Sequence, residues 1–334
     1  MKYDFGIRVD VGKGSGSGHF VRCLSIAQEL LKNGKKVVLL INNEKEIKNN
    51  LRHNIPFIAL DPGTEIQKIK QCKIELKNIK NLIVDLPFKN QIYSEFFRNI
   101  CNTIIIDDLG NKKIFSQLLF NGSLVSNFHK YEFNKKITKA FLGPKYMILR
   151  SEFREERKKI HTTNKSIKKI LLTFGGIDSQ NLSKKLLPVF DETNYEISLV
   201  LGPSYKHTKT IRNISKKHQN ITIYNFEKHM EKLLSCQDLV ISSGGITTYE
   251  LACLGIPTIF IPTEEFENFT ASSLAKKGFG LNYGFWDNDT QRMKNMILSL
   301  DDYKKRRNML NSGRKIIDGK GLDRITANIM KNFS

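Results

Sequence analysis

The chain has 334 residues, enough for two domains, and its 40% apolar content is ordinary for a water-soluble globular protein. Its net charge of +21, from 54 basic and 33 acidic residues, would suit nucleic acid, an anionic membrane face or an anionic substrate. The sequence has no zinc finger, RNA-recognition motif or basic heptad region, which excludes the common nucleic-acid modules. Lysines are spread along the whole chain, so we expect no nucleic-acid partner and at most a weak association with an anionic membrane surface.

No apolar run approaches the roughly 18 residues of a transmembrane helix, and the N-terminus MKYDFGIRVD lacks the apolar region of a signal peptide. The five cysteines are odd in number and scattered, without the CxxC spacing of metal sites. These features predict a cytoplasmic protein with free thiols and no metal bound by cysteine.

The stretch Phe5–Leu31 predicts a buried strand, a loop and an amphipathic helix. The loop has glycine at positions 12, 14, 16 and 18, so its backbone N–H groups can come close to a ligand. The helix would present its N-terminus to an anion, and His19 stands at the junction, where a phosphate or sugar would lie. A glycine-rich linker with a capping histidine is the alternative.

This loop fits neither of two familiar glycine motifs. A P-loop ends in Gly-Lys-Ser/Thr, whereas this one ends Gly18-His19-Phe20. A dinucleotide fingerprint has G-x-G-x-x-G and an acidic residue at the tip of the second strand. Here that strand, Lys36–Ile41, is followed by Asn42-Asn43, with Glu44 beyond them. We therefore expect no NAD.

Strands and helices alternate through the rest of the first half, which predicts a parallel sheet covered on both faces. The predicted segments are a helix at 44–52, a strand at Pro56–Leu60, a helix at 64–79, strands ending at Asp85 and Asp107, and last strands at Gly122–Asn127 and Lys139–Leu142. Ligands of such sheets lie beyond the carboxyl ends of the strands, where the glycine loop, Asp85 and Asp107-Asp108 fall. The paired aspartates could hold a metal, act as a base or cap the next turn.

A charged stretch without apolar period, Arg154–Lys169, marks a domain boundary, after which the pattern starts again. The second half predicts strands at Ile170–Phe174, Ile197–Leu201, Ile221–Tyr224, Leu239–Ile241 and Thr258–Ile261, and helices from Asp178 or Ser179 to Phe190 and at 205–218, 227–235, 268–277, 290–311 and 322–332. Asp287-Asn288-Asp289 has the D-x-D pattern of some metal–nucleotide sites, but it stands just before a helix and is interpreted as a cap.

A second strand–glycine turn–helix unit has the sequence SSGGITTYE from Ser242 to Glu250. Its hydroxyls and free backbone N–H groups suit a diphosphate, and Glu250 is placed to accept hydrogen bonds from ribose hydroxyls. Gly175-Gly176 is predicted to form a tight turn after the first strand of this half.

Several motifs, in order, resemble the UDP-sugar hydrolase family of pseudaminic acid biosynthesis and the wider group of spore-coat polysaccharide proteins. They are Arg8-x-Asp10 with Gly16-x-Gly18-His19-x-x-Arg22, Tyr146–Phe153, Phe174-Gly175-Gly176-x-Asp178 with Asn181-Leu182, Ser243-Gly244-Gly245 through Glu250 to Pro257, and Asp318-Gly319-x-Gly321-x-x-Arg324. The resemblance spans most of the chain and implies an α/β GT-B architecture, with two Rossmann-like domains and an interdomain cleft. The domains would cover 1–145 and 169–316, with a linker at 146–168 and a C-terminal crossover helix at 317–334.

The resemblance also implies an activity: inverting, metal-independent hydrolysis of a UDP-linked amino sugar to UDP and free sugar, in nonulosonic acid and surface glycan biosynthesis, as for flagellin glycosylation. The substrate would be UDP-2,4-diacetamido-2,4,6-trideoxy-β-L-altropyranose or a close relative. His19 and Asp10 would be the catalytic residues, with His19 the general base for water. The substrate-binding residues would be Gly16, Gly18, Arg22 and Asp85, and the nucleotide-binding residues Gly175, Gly176, Ser243, Gly244, Gly245, Thr247, Glu250 and Asn268. No cofactor is implied, and we expect a monomer.

The chain departs from the family at two segments. Leu86-Pro87-Phe88 stands where the family often has a tyrosine, and Phe266-Glu267 where it often has Asn-Gln, with Asn268 nearby. Both segments lie near the sugar or nucleotide in the family, so the identity of the sugar stays open. The alternatives are a GT-B glycosyltransferase related to the lipid-linked muramyl transferases and a nucleotide-sugar binding module without activity.

Overall fold

The computed structural model describes residues 2–11, 17–42, 55–159, 164–215, 220–225 and 227–333. The chain divides into two compact units, one formed by Met1–Ser151 with Gly319–Ser334 and the other by Glu152–Asp318. In the described ranges, no helix is both long enough and apolar enough to cross a membrane.

The first unit alternates strands and helices. They are β1 Tyr3–Val9, α1 Ser17–Lys32, β2 Val37–Ile41, β3 Phe57–Ala59, α2 Glu65–Glu75, β4 Ile79–Asp85, α3 Asn90–Phe97, β5 Asn102–Ile106, β6 Lys112–Lys113, β7 Leu118–Asn121, β8 Tyr131–Glu132 and β9 Lys139–Leu142. The main sheet is parallel, in the order β3-β2-β1-β4-β5-β7-β9, while β6 and β8 pair separately. The predicted parallel sheet is confirmed.

Both faces of this sheet are buried, because apolar side chains alternate between them along each strand. Ile7, Val9 and Ile83 pack on one face in a core shared with α1. Leu82 and Val84 pack on the other face, in a core shared with α2 and α3. This alternation decides which polar side chains can meet at the carboxyl ends of the strands.

The second unit repeats the pattern after a helix at the junction. Its elements are α4 Ser151–Lys158, β10 Lys169–Thr173, α5 Leu182–Lys185, β11 Glu196–Leu201, α6 Thr208–Ser215, β12 Ile221–Asn225, α7 Met230–Ser235, β13 Leu239–Ser242, α8 Ile246–Leu254, β14 Thr258–Phe260, α9 Glu265–Lys276, β15 Leu281–Asn282, α10 Thr290–Ser299 and α11 Tyr303–Ile316. The sheet is parallel, in the order β12-β11-β10-β13-β14-β15. This order, which steps outward from the first strand in both directions, is that of a doubly wound nucleotide-binding sheet.

The last helix, α12 Gly321–Phe333, belongs to the first unit. Leu322, Ile325 and Ile329 are buried in the core that α1 shares with the sheet. A Cβ on Gly321 would lie 2.0 Å from the carbonyl oxygen of Met147, so only glycine allows the helix to begin so close to that backbone.

Three predicted elements are wrong. The helix expected from Asp178 or Ser179 to Phe190 is a short helix at Leu182–Lys185 followed by a 3₁₀ turn at Leu187–Phe190. The strand expected at Gly122–Asn127 lies earlier, at Leu118–Asn121, because Asn121 ends the strand by accepting the backbone N–H of Ser123 in a turn. The helix expected at 290–311 is two helices, because Asp302 accepts the backbone N–H groups of Lys304 and Lys305 and starts α11 anew. The predicted helix at 44–52 and the end of the one at 205–218 lie outside the described residues.

The segment predicted as a linker also contains regular structure. Ser151–Lys158 forms α4, in which Phe153 and Glu156 are buried. Arg157 donates to the carbonyl oxygens of Cys253 and Arg314, at 2.6 and 2.8 Å, and so ties this helix into the second unit.

Candidate active site

The glycine loop that opens the chain is only partly described. Positions 12–16, and with them the predicted substrate residue Gly16, lie outside the described residues. Gly18 and His19 lie in the first turn of α1, which begins at Ser17. His19 is therefore held by a helix rather than by the loop before it.

Asp85 lies beneath His19 because of strand register. In a parallel pair, aligned residues project from the same face, and Asp85 at the end of β4 aligns with Val9 of β1, which faces α1. The Asp85 side chain is 1% exposed and its Oδ1 lies 2.8 Å from Nδ1 of His19, whose side chain is 23% exposed. The result is a partly exposed histidine held by a buried carboxylate.

Arg22, one helical turn after His19, binds the same carboxylate. Its Nε and Nη2 donate to the two oxygens of Asp85, at 2.5 and 2.6 Å. Its Nη1 donates to both oxygens of Asp108, at 2.6 and 2.8 Å. One planar guanidinium therefore fixes two carboxylates at once, which its fork of donors allows.

The charge state of Asp85 decides the tautomer of His19. Burial alone would raise the pKa of the Asp85 carboxyl, but the Arg22 guanidinium and the hydrogen bonds from Arg22 and His19 hold it well below its usual value. An ionised Asp85 only accepts hydrogen bonds, so Nδ1 of His19 carries the proton and donates it. Nη2 of Arg22 lies 2.9 Å from Nδ1 of His19, and both nitrogens are within hydrogen-bond distance of Oδ1 of Asp85.

That arrangement leaves Nε2 of His19 as the nitrogen with a free lone pair in the neutral ring. Among the described residues, Nε2 makes no direct hydrogen bond, and it lies 3.9 Å from Oδ2 of Asp108. A histidine whose Nδ1–H is fixed by a carboxylate and whose Nε2 is open can take a proton from water or a hydroxyl group.

The two neighbouring aspartates after β5 have different partners. Asp107 is 3% exposed and accepts hydrogen bonds from the Asn90 side chain, the Gly110 backbone and the Tyr131 hydroxyl. It therefore caps the turn, one of the roles predicted for the pair. Asp108, with a side chain 37% exposed, instead projects to Arg22. Within the described residues, no three His, Cys, Asp or Glu side chains form a group suited to a metal ion.

Asp10, predicted to be catalytic, lies in a different group. Its Oδ1 accepts from Arg8 at 2.7 Å and its Oδ2 from Lys89 at 2.9 Å. Burial would raise the pKa of Asp10, but these two cations lower it below its usual value. Arg8 faces the side of the sheet opposite to α1, where it also donates to the Tyr93 hydroxyl. The hydrogen-bond partners of Asp10 are therefore Arg8 and Lys89, and it makes no direct hydrogen bond to His19.

In the second unit, three loops leave one edge of the sheet. Thr173 aligns with Ser242 and Ser242 with Phe260, so β10, β13 and β14 end level with one another. The residues that follow these strands include Gly175-Gly176, Ser243–Gly245 and Thr263, at the edge where doubly wound sheets bind ligands.

The Gly175-Gly176 turn packs closely against the end of β11. Gly175 has φ of +72°, a conformation that favours glycine. A Cβ on Gly202 would lie 2.3 Å from the carbonyl oxygen of Gly175, so β11 ends in contact with the turn. Asp178 accepts the backbone N–H groups of Leu182 and Ser183, at 2.8 and 2.9 Å. The predicted N-cap is therefore wrong: α5 is only four residues long and its N-cap is Asn181, while Asp178 binds the first two backbone N–H groups of the helix from three residues before the cap.

The Ser243–Gly245 loop leads directly into α8, with Gly245 as the N-cap. The first backbone N–H groups of a helix have no partner inside the helix, so they are available to an anion. Thr248 is buried and turns its hydroxyl back to the carbonyl oxygen of Gly245, at 2.6 Å, whereas Thr247 is half-buried. Glu250 is buried within the same helix.

A carboxylate stands beside this loop. Glu267 in α9 accepts from the backbone N–H and the hydroxyl of Thr263, at 2.8 and 2.9 Å, through Oε2 alone. A Cβ on Gly244 would lie 2.2 Å from the Cβ of Glu267, so the glycine allows the loop and α9 to touch. Asn268, predicted to bind nucleotide, uses its Oδ1 to accept from Asn282 at 2.9 Å.

Two residues expected to bind substrate in the first unit have protein partners. The carboxylate of Asp85 is buried and binds His19 and Arg22. Arg22 was also predicted to bind substrate, and its guanidinium is directed at the two carboxylates. The sequence pattern predicted three possible roles for the pair Asp107-Asp108 at this edge, but it could not show that the two residues have different partners, with Asp107 in the turn and Asp108 on Arg22.

The comparisons with known proteins agree with this architecture. Residues 159–319 match the glycosyltransferase family 28 C-terminal domain. The chain is 26% identical over 332 residues to the spore coat polysaccharide biosynthesis protein SpsG of Bacillus subtilis, covering 96% of each chain. It is 30% identical over 280 residues to an uncharacterised protein of Methanocaldococcus jannaschii, covering 78% of this chain and 56% of that protein.

The chain is also similar to a transferase in sequence and to several solved structures in fold. A Finegoldia magna UDP-N-acetylglucosamine–N-acetylmuramyl-(pentapeptide) pyrophosphoryl-undecaprenol N-acetylglucosamine transferase is 24% identical over 318 residues, covering 81% of this chain and 83% of the transferase. The crystal structure of Acinetobacter baumannii MurG superposes with a TM-score of 0.72 at 14% identity, covering 98% of this chain and 99% of that one. HepE of Anabaena, solved in complex with UDP and glucose, gives a TM-score of 0.62 at 11% identity, covering 98% and 99%.

These comparisons establish the fold. The expectation of an α/β, two-domain GT-B fold is confirmed, with the second half similar in sequence to the C-terminal domain of family 28 glycosyltransferases.

Proposed function

We propose that this protein hydrolyses a UDP-linked amino sugar to UDP and the free sugar, with His19 as the general base. The observation that carries the proposal is the 2.8 Å contact between Nδ1 of His19 and the buried Asp85 carboxylate, which leaves Nε2 free to accept a proton. The substrate we propose is UDP-2,4-diacetamido-2,4,6-trideoxy-β-L-altropyranose or a close relative, for the synthesis of a surface glycan. The similarity to a spore coat polysaccharide biosynthesis protein supports that pathway class.

In the proposed reaction, Nε2 of His19 takes one proton from water as the water oxygen attacks the anomeric carbon. The bond from that carbon to the diphosphate oxygen breaks, and its electron pair leaves with UDP. The imidazolium that forms is stabilised by Asp85 at Nδ1 and later releases its proton to solvent. Because the displacement is single, the freed sugar has inverted configuration.

The second unit would hold the nucleotide. The N-terminus of α8 and the Ser243–Gly245 loop offer backbone N–H groups to the diphosphate, which stabilises the negative charge that develops as UDP departs. Glu250 would accept hydrogen bonds from the ribose hydroxyls. The solved relatives with UDP bound support a UDP site in a chain of this fold.

Glycosyl transfer is the second candidate, because the chain is similar to a lipid-linked muramyl transferase over most of its length. The two reactions differ only in the nucleophile, water or an acceptor hydroxyl. The same histidine could serve both.

The experiment that separates them is UDP release from a panel of UDP-amino sugars without any acceptor. If the protein is a hydrolase, it should release UDP and free sugar in equal amounts, and EDTA should not change the rate. NMR should show that the sugar first released has the inverted anomeric configuration. UDP that forms only after an acceptor sugar or lipid is added would refute hydrolysis and support transfer. UDP binding without turnover under either condition would support a binding module.

A further inference from the structure

The carboxylate of Asp108 stands opposite the open nitrogen of His19. Its Oδ2 lies 3.9 Å from Nε2, too far for a direct hydrogen bond, which requires about 3.2 Å or less. A gap of about 4 Å between two polar groups is one that a single water molecule bridges with two hydrogen bonds of ordinary length. With a side chain 37% exposed, Asp108 is accessible to such a molecule, unlike Asp85 at 1%.

Hydrogen bonds from Arg22 fix the position of the Asp108 carboxylate. Nη1 of Arg22 binds both of its oxygens, while Nε and Nη2 of the same guanidinium bind Asp85. Asp85 in turn binds Nδ1 of His19. His19, Asp85, Arg22 and Asp108 are therefore linked in that order by hydrogen bonds. The gap between Asp108 and Nε2 of His19 is the one contact in this ring that has no hydrogen bond.

We infer that Asp108 and Nε2 of His19 hold the attacking oxygen between them, so that Asp108 is a further residue of the reaction. This inference rests on the proposed function for the identity of the nucleophile. The attacking water donates one O–H to Nε2, which removes that proton, and the other O–H to Oδ2 of Asp108, which keeps its own charge and orients the oxygen lone pair. The second proton stays on the oxygen and becomes the hydroxyl hydrogen of the freed sugar, so the step balances.

The position of Asp108 near Nε2 also matters after proton transfer to His19. The imidazolium then lies between two carboxylates, Asp85 at Nδ1 and Asp108 near Nε2, and both stabilise its charge. Asp108 thus contributes when charge develops and not when the substrate binds. Such an interaction lowers the barrier without tightening ground-state binding.

The test compares Asp108→Asn and Asp108→Glu with the wild type, measuring kcat and KM for UDP release. We expect Asp108→Asn to lose on the order of 10² in kcat, the usual cost of one preorganised polar group, with KM within about threefold. Asp108→Glu should recover part of the loss, because it keeps the charge. Thermal unfolding of each variant shows whether it is folded, and Asp4→Asn, which removes a carboxylate near the amino ends of the strands of the same sheet, controls for net charge.

Azide distinguishes positioning of the nucleophile from a structural role. Azide needs no deprotonation, so it should restore UDP release by Asp108→Asn and yield the glycosyl azide. A loss of kcat without azide rescue, or a loss that appears in KM, would overturn the inference and assign Asp108 to support of Arg22. If the wild type releases UDP only with an acceptor, hydrolysis fails separately, and the same kcat and KM comparison with acceptor present tests whether Asp108 orients the acceptor hydroxyl.

Discussion

The carboxyl edges of the two sheets carry different chemistry although the two folds repeat each other. In the first unit that edge holds charged side chains, where Arg22 joins two carboxylates and one carboxylate holds His19. In the second unit it holds glycines, hydroxyls and the N-terminus of a helix. Fixed charges with a free imidazole suit proton transfer, while backbone N–H groups suit a bound anion. Under the proposed function, the first unit would carry out proton transfer and the second would bind the nucleotide, and the predictions below test the residues on which each role depends.

The largest effect is expected from His19→Asn. If the first unit alone performs proton transfer, kcat should fall by about 10² to 10⁴, the usual contribution of a general base, while KM for the UDP-sugar changes little. Steady-state UDP release measures both. His129→Asn is the matched control, because His129 lies in the same unit and binds the carbonyl oxygen of Ser123 outside the site. Full activity in His19→Asn would make the histidine a loop cap.

Next in size is the loss of stability in Asp85→Asn. Removing one partner of a buried ion pair costs about 3 to 5 kcal/mol, since the Arg22 charge stays buried. Urea unfolding at pH 7 measures the loss, and Asp108→Asn, at a more exposed position, should lose less. An unfolding free energy equal to that of the wild type would mean that Asp85 does not anchor the first unit.

The pH dependence of that loss has a definite sign. The pKa of Asp85 is depressed in the folded state, so its contribution is fully present above the unfolded-state pKa, about 3.9. It is lost as the pH falls below that value. The difference in unfolding free energy between wild type and Asp85→Asn should therefore shrink below about pH 4. A difference that stays constant down to pH 2 would contradict an ionised Asp85.

A smaller effect, confined to nucleotide binding, is expected from Glu250→Ala. Loss of a charged hydrogen bond to ribose should weaken UDP binding by about 1.5 to 3 kcal/mol, measured by calorimetry. Glu196→Ala, at the opposite edge of the same sheet, is the control and should bind UDP as the wild type does. Unchanged affinity in Glu250→Ala would remove this residue from the proposed site.

The smallest effect concerns the support of the glycine loop. Gly244→Ala would force a Cβ to within 2.2 Å of the Cβ of Glu267, and such overpacking costs about 1 to 3 kcal/mol of stability. Gly176→Ala has nothing within 4 Å of its added Cβ and should change the unfolding free energy by less than about 0.5 kcal/mol. Equal thermal stability of the two variants would show that α9 does not constrain the loop.

The alternation of apolar runs with helical periods determined the fold class, because a parallel sheet buried on both faces leaves that pattern in any sequence. The strand Lys139–Leu142 was placed correctly, and the cap at Asp289 was too, since it accepts the backbone N–H of Arg292. Local signals failed where a turn residue interrupted an apolar run, as at Asn121 and Asp302.

What the tertiary structure decided is which polar residues meet. The motif Arg8-x-Asp10 contains two charges separated by one residue, and strand alternation turns Arg8 away from α1, where it binds Asp10 together with Lys89. The partners of His19 come from 66 and 89 residues further along the chain, at Asp85 and Asp108. They meet because β4 and β5 lie beside each other and end at the same edge, with Asp85 in register with Val9. Sequence alone specified the strands, but register and face are properties of the assembled sheet, and they determine which carboxylate holds the histidine.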